Sequence, residues 1–344
     1  VAVSASSDNV GTFNATLIIS DDAGAAEAQT VALSITVEPS DDLSGTWNLV
    51  TDAAELMPGM QVIIASVADE NVVKTMGQQN SNNRAAVAST VAGTVLTPAA
   101  GTKVFTLVDA GNGKYALQLV NGNYLCAASS SSNNLKEQTT NDANGQWTIT
   151  IADGKATITA QGSYSRKLMR FNPNNGNPLF ACYAENSTTG TLVTLYAKPF
   201  DYTRNVSGNY ATICLPKAGQ IIGATLYEIA YYGGASKKIF FDEIVNGEME
   251  AGIPYIFQPA AGVEKINVYY SDNTAENVGA GNRNGLIGFY DLNNPAATHN
   301  ITQDAGFYIL YNNQYWLVSG RAAYVENYRA CIELNQIDAS EPAL

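Results

Sequence analysis

Three kinds of residue in this chain are suited to chemistry: paired acids, amide-rich loops and aromatic rings. The candidate acid pairs are Asp242-Glu243 and Glu248 with Glu250. Glycoside cleavage needs two acids facing one bond from opposite sides. These four fall in a strand-turn-strand pattern, where acids face solvent, and no catalytic role is expected of them. Gly-x-Ser-x-Gly is absent, so nucleophile-elbow chemistry has no candidate. Gly233-Gly234 and Gly279-Ala280-Gly281 lack the strand-to-helix setting of a phosphate cradle and read as turns. Asp291, Asp304 and Asp338 do not follow calcium-loop spacing. The single histidine, His299, stands among Asn, Ala and Thr with no second His or Cys beside it. It reads either as a lone base or ligand or, as expected here, as a loop histidine, which leaves zinc sites and His-dependent triads without support. No catalytic residue, metal ligand or cofactor is expected.

Sugar recognition is what the remaining residues suit: aromatic faces stack on a ring, and Asn, Gln and Asp read hydroxyls. Three clusters qualify. Tyr124 stands with Asn121 and Asn123, Tyr164 with Arg166 and Arg170, and Tyr183 with Asn172 and Asn174. Tyr315 and Trp316 form a further aromatic pair. Strand neighbours point to opposite faces, so at most one of these two is exposed.

The elements that must position these clusters lie between Gln61 and Lys198, where one pattern occurs three times. Alternating strands open each pass at Gln61-Val62-Ile63-Ile64-Ala65, Lys114-Tyr115-Ala116-Leu117-Gln118 and Lys155-Ala156-Thr157-Ile158-Thr159. Second strands follow at Val73–Met76, Tyr124–Ala127 and Lys167–Phe171, and third strands at Ala85–Ser89, Leu135–Thr139 and Leu179–Tyr183. Closing strands are Phe105-Thr106-Leu107-Val108, Trp147-Thr148-Ile149-Thr150 and Val193-Thr194-Leu195-Tyr196. Three passes of four strands, roughly 40 to 50 residues each, match a repeat architecture and the β-trefoil plan; an irregular barrel is the other reading. Gln146-Trp147 resembles the Q-x-W element of ricin-type lectins, but the spacing is off by one. Trp147 also aligns with Phe105 and Val193, so it is expected in the core.

Composition narrows the classes of partner. The 344 residues are 46% hydrophobic and only 14% charged, with 19 tyrosines and a net charge of −13. No basic run is present, so nucleic acid, which needs a cationic footprint, is not an expected partner, and an anionic membrane surface would repel the chain. Apolar runs are strand-length, with no transmembrane segment. Val1 rather than Met opens the chain, so a start is expected upstream and the lack of a leader carries no information about secretion. Four cysteines, Cys126, Cys182, Cys214 and Cys331, form no CxxC pair. They read as buried small hydrophobes, with a Cys214–Cys331 bridge as the alternative.

Residues 1–40 carry two alternating strands, Thr12–Ser20 and Gln29–Val37, around the turn Asp21-Asp22-Ala23-Gly24. Gly-Thr-Phe-x-Ala-Thr-Leu followed by Val-x-Leu-x-Ile-x-Val resembles the closing hairpin of immunoglobulin-like modules strung along bacterial surface proteins. Pro39-Ser40-Asp41-Asp42 reads as a linker, and Asp52-Ala53-Ala54-Glu55 has capping-box spacing for one short helical turn. The block WNLVTDAAELMPGMQVIIAS, with Asn83-Arg84-Ala85, GNYLCAASSSSNNL, LMRFNPNNGNPLFACY and the ending Leu195-Tyr196-Ala197-Lys198, resembles a domain of extracellular Bacteroidetes proteins; Met60 replaces its usual Asp. Pro199–Ser207 reads as a second boundary. After it, Ala211-Thr212-Ile213-Cys214-Leu215-Pro216, Ala251-Gly252-Ile253-Pro254-Tyr255-Ile256-Phe257 and Asn327–Ile332 resemble a C-terminal module of Bacteroidetes surface proteins.

The expected architecture is therefore all-β: an incomplete Ig-like hairpin (1–40), a β-trefoil-like domain (45–199) and a β-sandwich module (203–340). The resemblance implies a non-catalytic protein, extracellular or on the outer-membrane surface, active in adhesion or carbohydrate binding. Its partner would be a glycan or a host or neighbouring surface protein, with Asn121, Asn123, Tyr124, Tyr164, Arg170, Asn172 and Tyr183 as the contact residues. The alternative is a non-catalytic accessory region of a larger secreted glycosidase or peptidase.

Overall fold

The computed structural model describes residues 11–19, 29–37, 39–69, 71–236, 238–272, 275–294, 296–301, 306–311, 314–319 and 323–337. Among these, regular structure consists of strands and three short 3-10 turns, so the fold is all-β. The chain divides into two compact units, Val1–Pro199 and Phe200–Leu344.

In the first unit, the strands Gly11–Ile19 and Gln29–Val37 pair antiparallel from Gly11↔Val37 to Ile19↔Gln29, as their alternation predicts. The expected turn at Asp21–Gly24 lies outside the described residues. The expected linker is held by charge. Asp41 accepts hydrogen bonds from Lys103 Nζ at 2.9 Å and from the Val104 amide at 2.9 Å. Asp42 pairs at 2.7 Å with Lys198, itself a buried residue. Proximity in sequence to Pro and Ser suggested a free segment; the buried ammonium of Lys198 requires a partner, and Asp42 supplies it. The capping box forms as its spacing predicts, with Asp52 and Glu55 closing the turn Ala53–Glu55.

Six strands then close into a ring. Gln61–Asp69 pairs with Phe105–Asp109, which pairs with Tyr115–Gln118. Tyr115–Gln118 pairs with Gln146–Ala152, and that strand with Lys155–Ala160. The bridge Ala156↔Val193 and the pairing of Thr194–Ala197 with Gln61–Asp69 complete the circuit. Closure gives each of these six strands a partner on both sides within the ring. Between ring strands, three hairpins project: Val72–Asn80 with Asn83–Ala92, Tyr124–Ala127 with Leu135–Gln138, and Arg166–Asn172 with Leu179–Ala184. Phe105, Trp147 and Val193, the positions that align across the three passes, are all fully buried. Trp147 is thus core, and its indole N–H donates to the Leu125 carbonyl at 3.1 Å. A buried indole keeps its desolvation cost low only with such an acceptor.

The second unit begins earlier than expected, because Tyr202–Asn205 is already a strand paired to Lys265–Tyr270. Its alternation is short and carries Arg204, a polar residue that nevertheless packs over the Phe257 ring at 4.8 Å. Three larger sheets follow, beside a two-stranded pair of Thr298–Ile301 with Ala323–Glu326. A first outer sheet contains Tyr202–Asn205, Lys265–Tyr270, Gly219–Ile222 and Glu248–Met249. A central sheet contains Ala211–Cys214, Pro254–Pro259, Ala224–Gly233 and Lys238–Ile244. A second outer sheet contains Asn282–Arg283, Leu286–Phe289, Arg329–Glu333, Phe307–Tyr311 and Gln314–Leu317. Tyr255 and Phe257 pack with Ile266 and Val268 on one side of the central sheet, while Ile256 packs with Leu286 and Ile332 on the other. Both faces of Pro254–Pro259 are covered, which is why Pro254-Tyr255-Ile256-Phe257 is apolar throughout instead of alternating.

All four cysteines are free and buried, as expected of small hydrophobes, and the alternative Cys214–Cys331 bridge does not form. Burial pushes the Cys126 thiol up to about 11 and those of Cys214 and Cys331 up to about 12. His299 is not in a loop but in the strand Thr298–Ile301, where its Nε2 meets Asn327 Oδ1 at 3.2 Å.

Trp147→Ala should destabilise the first unit by about 4 kcal/mol, the range for deleting a fully buried aromatic. Urea unfolding checks this; Trp147→Phe, which loses mainly the bond to Leu125, should cost about 1 kcal/mol.

Candidate functional site

Asn121 and Asn123 belong to the tight turn between Tyr115–Gln118 and Tyr124–Ala127. Gly122 occupies φ +85° there, a conformation a side chain would strain. The Asn121 side-chain oxygen accepts the Asn123 amide at 3.0 Å, an Asx turn that fixes both side chains. Each Nδ2 then donates to Glu137 Oε2 at 3.2 Å. Glu137 lies on Leu135–Gln138, and its other oxygen pairs with Arg84 Nη1. Arg84 is completely buried and donates from Nε to the Gly77 carbonyl at 3.0 Å. A polar pocket of about 300 Å³ opens over this assembly, lined by Gln78, Gln79, Lys103, Asn121, Asn123 and Glu137 among others.

The electrostatics follow from burial and pairing. Desolvation on its own would raise the Glu137 carboxyl, but Arg84 and the two asparagine amides hold it below the usual carboxylate range. Burial lowers the Arg84 guanidinium, and Glu137 pulls the other way. The result is a carboxylate anchored at several points, with rigid amides beside it. Such a group accepts hydrogen bonds from ligand hydroxyls at little ordering cost.

The expected contact residues are only partly brought together. Asn121 and Asn123 line the pocket; Tyr124, one residue further along, does not. Its hydroxyl accepts from Gln118 Nε2 at 3.2 Å. The amides and the aromatic face of this cluster are therefore separated by strand alternation. In the third pass, Asn172 Nδ2 donates to the Tyr183 hydroxyl at 2.8 Å. Tyr183 is 4% exposed and offers no open face for stacking. Its position opposite Leu168 on a strand covered on both sides is the reason. Arg170 donates to the Thr189 and Gly190 carbonyls at 2.7 and 2.9 Å, which ties down a loop. Gly190 there leaves no room for a Cβ, which would sit 2.1 Å from the Phe171 carbonyl oxygen. Arg166 reaches Asn133 at 2.6 Å, Asn174 starts an exposed 3-10 turn, and Tyr164 stands half-buried in a separate loop. Trp316 is exposed and Tyr315 half-buried, in keeping with their alternation. Asp242, Glu243, Glu248 and Glu250 are all exposed, and Glu250 pairs with Arg283.

Sequence reasoning missed Arg84, Glu137, Gln78, Gln79 and Lys103. One signal was available: Arg84 opens the apolar run Ala85-Ala86-Val87-Ala88, where a charge demands a partner. The identity of that partner, more than fifty residues away, has no local signature.

No protein-family model matches the chain, and no curated protein matches it. Among solved structures, 10 chains match. One is from a study of the structure and mode of action of a mosquitocidal holotoxin, at 13% identity and a TM-score of 0.31. The match covers 80% of this chain and 34% of that one, so this chain spans about a third of its length. A likeness this distant carries no argument about activity.

Arg84→Ala should cost about 3 kcal/mol in urea unfolding, since it strands a partly buried carboxylate. The pH dependence has a definite sign. The folded Glu137 carboxyl lies below its ordinary value of 4.5, so its contribution is present above that value and is lost as pH falls through the folded one. Thermal unfolding between about pH 6 and pH 3 should therefore show a shallower fall for Glu137→Gln than for the natural protein.

Proposed function

We propose that this chain is a non-catalytic binding protein, extracellular or displayed at an outer-membrane surface, and that its first unit is a β-trefoil whose Glu137 pocket takes a hydroxyl-rich glycan. The closed six-strand ring with three hairpins supports the trefoil reading, since four strands per pass in three passes is that plan. The paired strands Gly11–Ile19 and Gln29–Val37 suit the closing hairpin of an Ig-like module, and the resemblance of the sequence blocks to Bacteroidetes surface proteins supports the location.

The observation that carries the ligand class is the convergence of one anchored carboxylate and two fixed asparagine amides on a polar pocket of about 300 Å³. Hydroxyl groups both donate and accept, and such a mixed lining answers both needs. A nucleic-acid ligand would meet the carboxylate with like charge, and the chain's net charge of −13 opposes it further. The volume is at the lower end for small-molecule sites, with the polar groups setting orientation.

A glycan array probed with the whole chain tests this reading. At least one glycan should bind, and Asn121→Ala with Asn123→Ala should weaken it about tenfold, as expected for losing bonds near a charged acceptor. Tyr183→Phe should leave affinity unchanged, because that ring is covered. Silence of the array at high micromolar protein would count against a glycan ligand.

A further inference from the structure

The second unit contains a cavity of a different chemistry. It measures about 310 Å³ and is lined by Tyr210, Tyr227, Phe241, Ile256, Leu310 and Tyr315. Phe241 belongs to Lys238–Ile244, the edge strand of the central sheet; Tyr315 belongs to Gln314–Leu317, the edge strand of the second outer sheet. Large rings from both edges meet at this cavity. Phe241 and Tyr315 face each other with ring centroids 6.4 Å apart and planes within 25°. Phe241 is 37% exposed and Ile256 only 2%, so the cavity runs from solvent to the core.

We propose that this cavity is a binding site for one uncharged aromatic ring, either a free small molecule or an aromatic side chain of a peptide. Among the six described residues that line it, four are aromatic and none carries a charge. Aromatic walls favour a flat ring in offset or edge contact over an aliphatic chain of the same area. A charged ligand would lose its hydration with no counter-charge in return. A sugar is disfavoured for a related reason: most of its hydroxyls would face hydrocarbon without partners. Tyrosine hydroxyls offer a few polar contacts, and that of Tyr227 already donates to Gln258 Oε1 at 3.3 Å. The volume sits at the lower end for small-molecule sites, enough for one ring system. This site is independent of the Glu137 pocket, which belongs to the other unit.

Titration of the full chain with indole and with N-acetyltryptophan amide, followed by aromatic NMR signals, tests the proposal, with methyl glucoside as the polar-ring comparison. Saturable shifts at Phe241 and Tyr315 are expected with indole. An equal response to the amide assigns the site to peptide side chains, and a response to indole alone assigns it to free rings. Phe241→Ala should weaken binding about tenfold, and so should Leu310→Phe, which fills the space without removing a wall. Phe240→Ala removes a ring stacked on Tyr231 at 4.4 Å, outside the cavity, and should change affinity by less than about twofold. The proposal is overturned if neither aromatic probe saturates by about 10 mM. It is also overturned if methyl glucoside shifts the same signals equally, or if the Phe241 and Leu310 variants bind indole as the natural chain does.

Discussion

A guanidinium with no exposed surface must find its counter-charge inside the protein, and Arg84 finds it in Glu137. The two side chains come from different hairpins. Arg84 is on Asn83–Ala92, and Glu137 on Leu135–Gln138. The third hairpin joins the same place, because Phe180 lies opposite Arg84 in the strand register. A single ion pair thus ties together elements that the chain visits in separate passes. Breaking such a pair costs far more than forming it gains, since the partner left behind is poorly hydrated. The pairing of the two charges therefore holds the hairpins in the arrangement that sets the pocket.

The same pair shapes what the pocket can recognise. Arg84 approaches Glu137 from the protein side, and Asn121 and Asn123 hold its second oxygen. The carboxylate is ionised at neutral pH, positioned before any ligand arrives and flanked by amides whose own orientation is fixed by a turn. Preorganisation of this kind reduces the ordering cost of binding. Charge also pins the segment entering the ring, through Asp41 with Lys103 and Asp42 with Lys198. Few charged residues are present in this unit, and several of them are committed to holding backbone segments in place.

In the second unit, packing rather than charge sets the organisation. The central strand Pro254–Pro259 sends Tyr255 and Phe257 to one core and Ile256 to another. Covering both faces of one sheet gives three layers in the region expected as a β-sandwich module. The cysteines sit in these cores as apolar residues: Cys331 packs with Ile301, Val318 and Val325, and Cys214 lies against Gly288, where a Cβ would collide with its sulfur.

Periodicity by itself determined the all-β class, the strands of the three passes, the buried fate of Phe105, Trp147 and Val193, and the capped turn at Asp52–Glu55. These are local properties: side chains alternate along a strand, and a cap and its partner are three residues apart. The same logic allowed at most one of Tyr315 and Trp316 an exposed face. Only the tertiary structure decided which residues share a site. Glu137 meets Arg84 across fifty-three positions and Asn121 across sixteen, and no periodic signal spans such separations. It also decided that Tyr183 is covered, that Asp41 and Asp42 are anchors, and that Cys214 and Cys331 stay apart. Each of these depends on what lies against a side chain, which long-range strand pairing sets and local spacing does not.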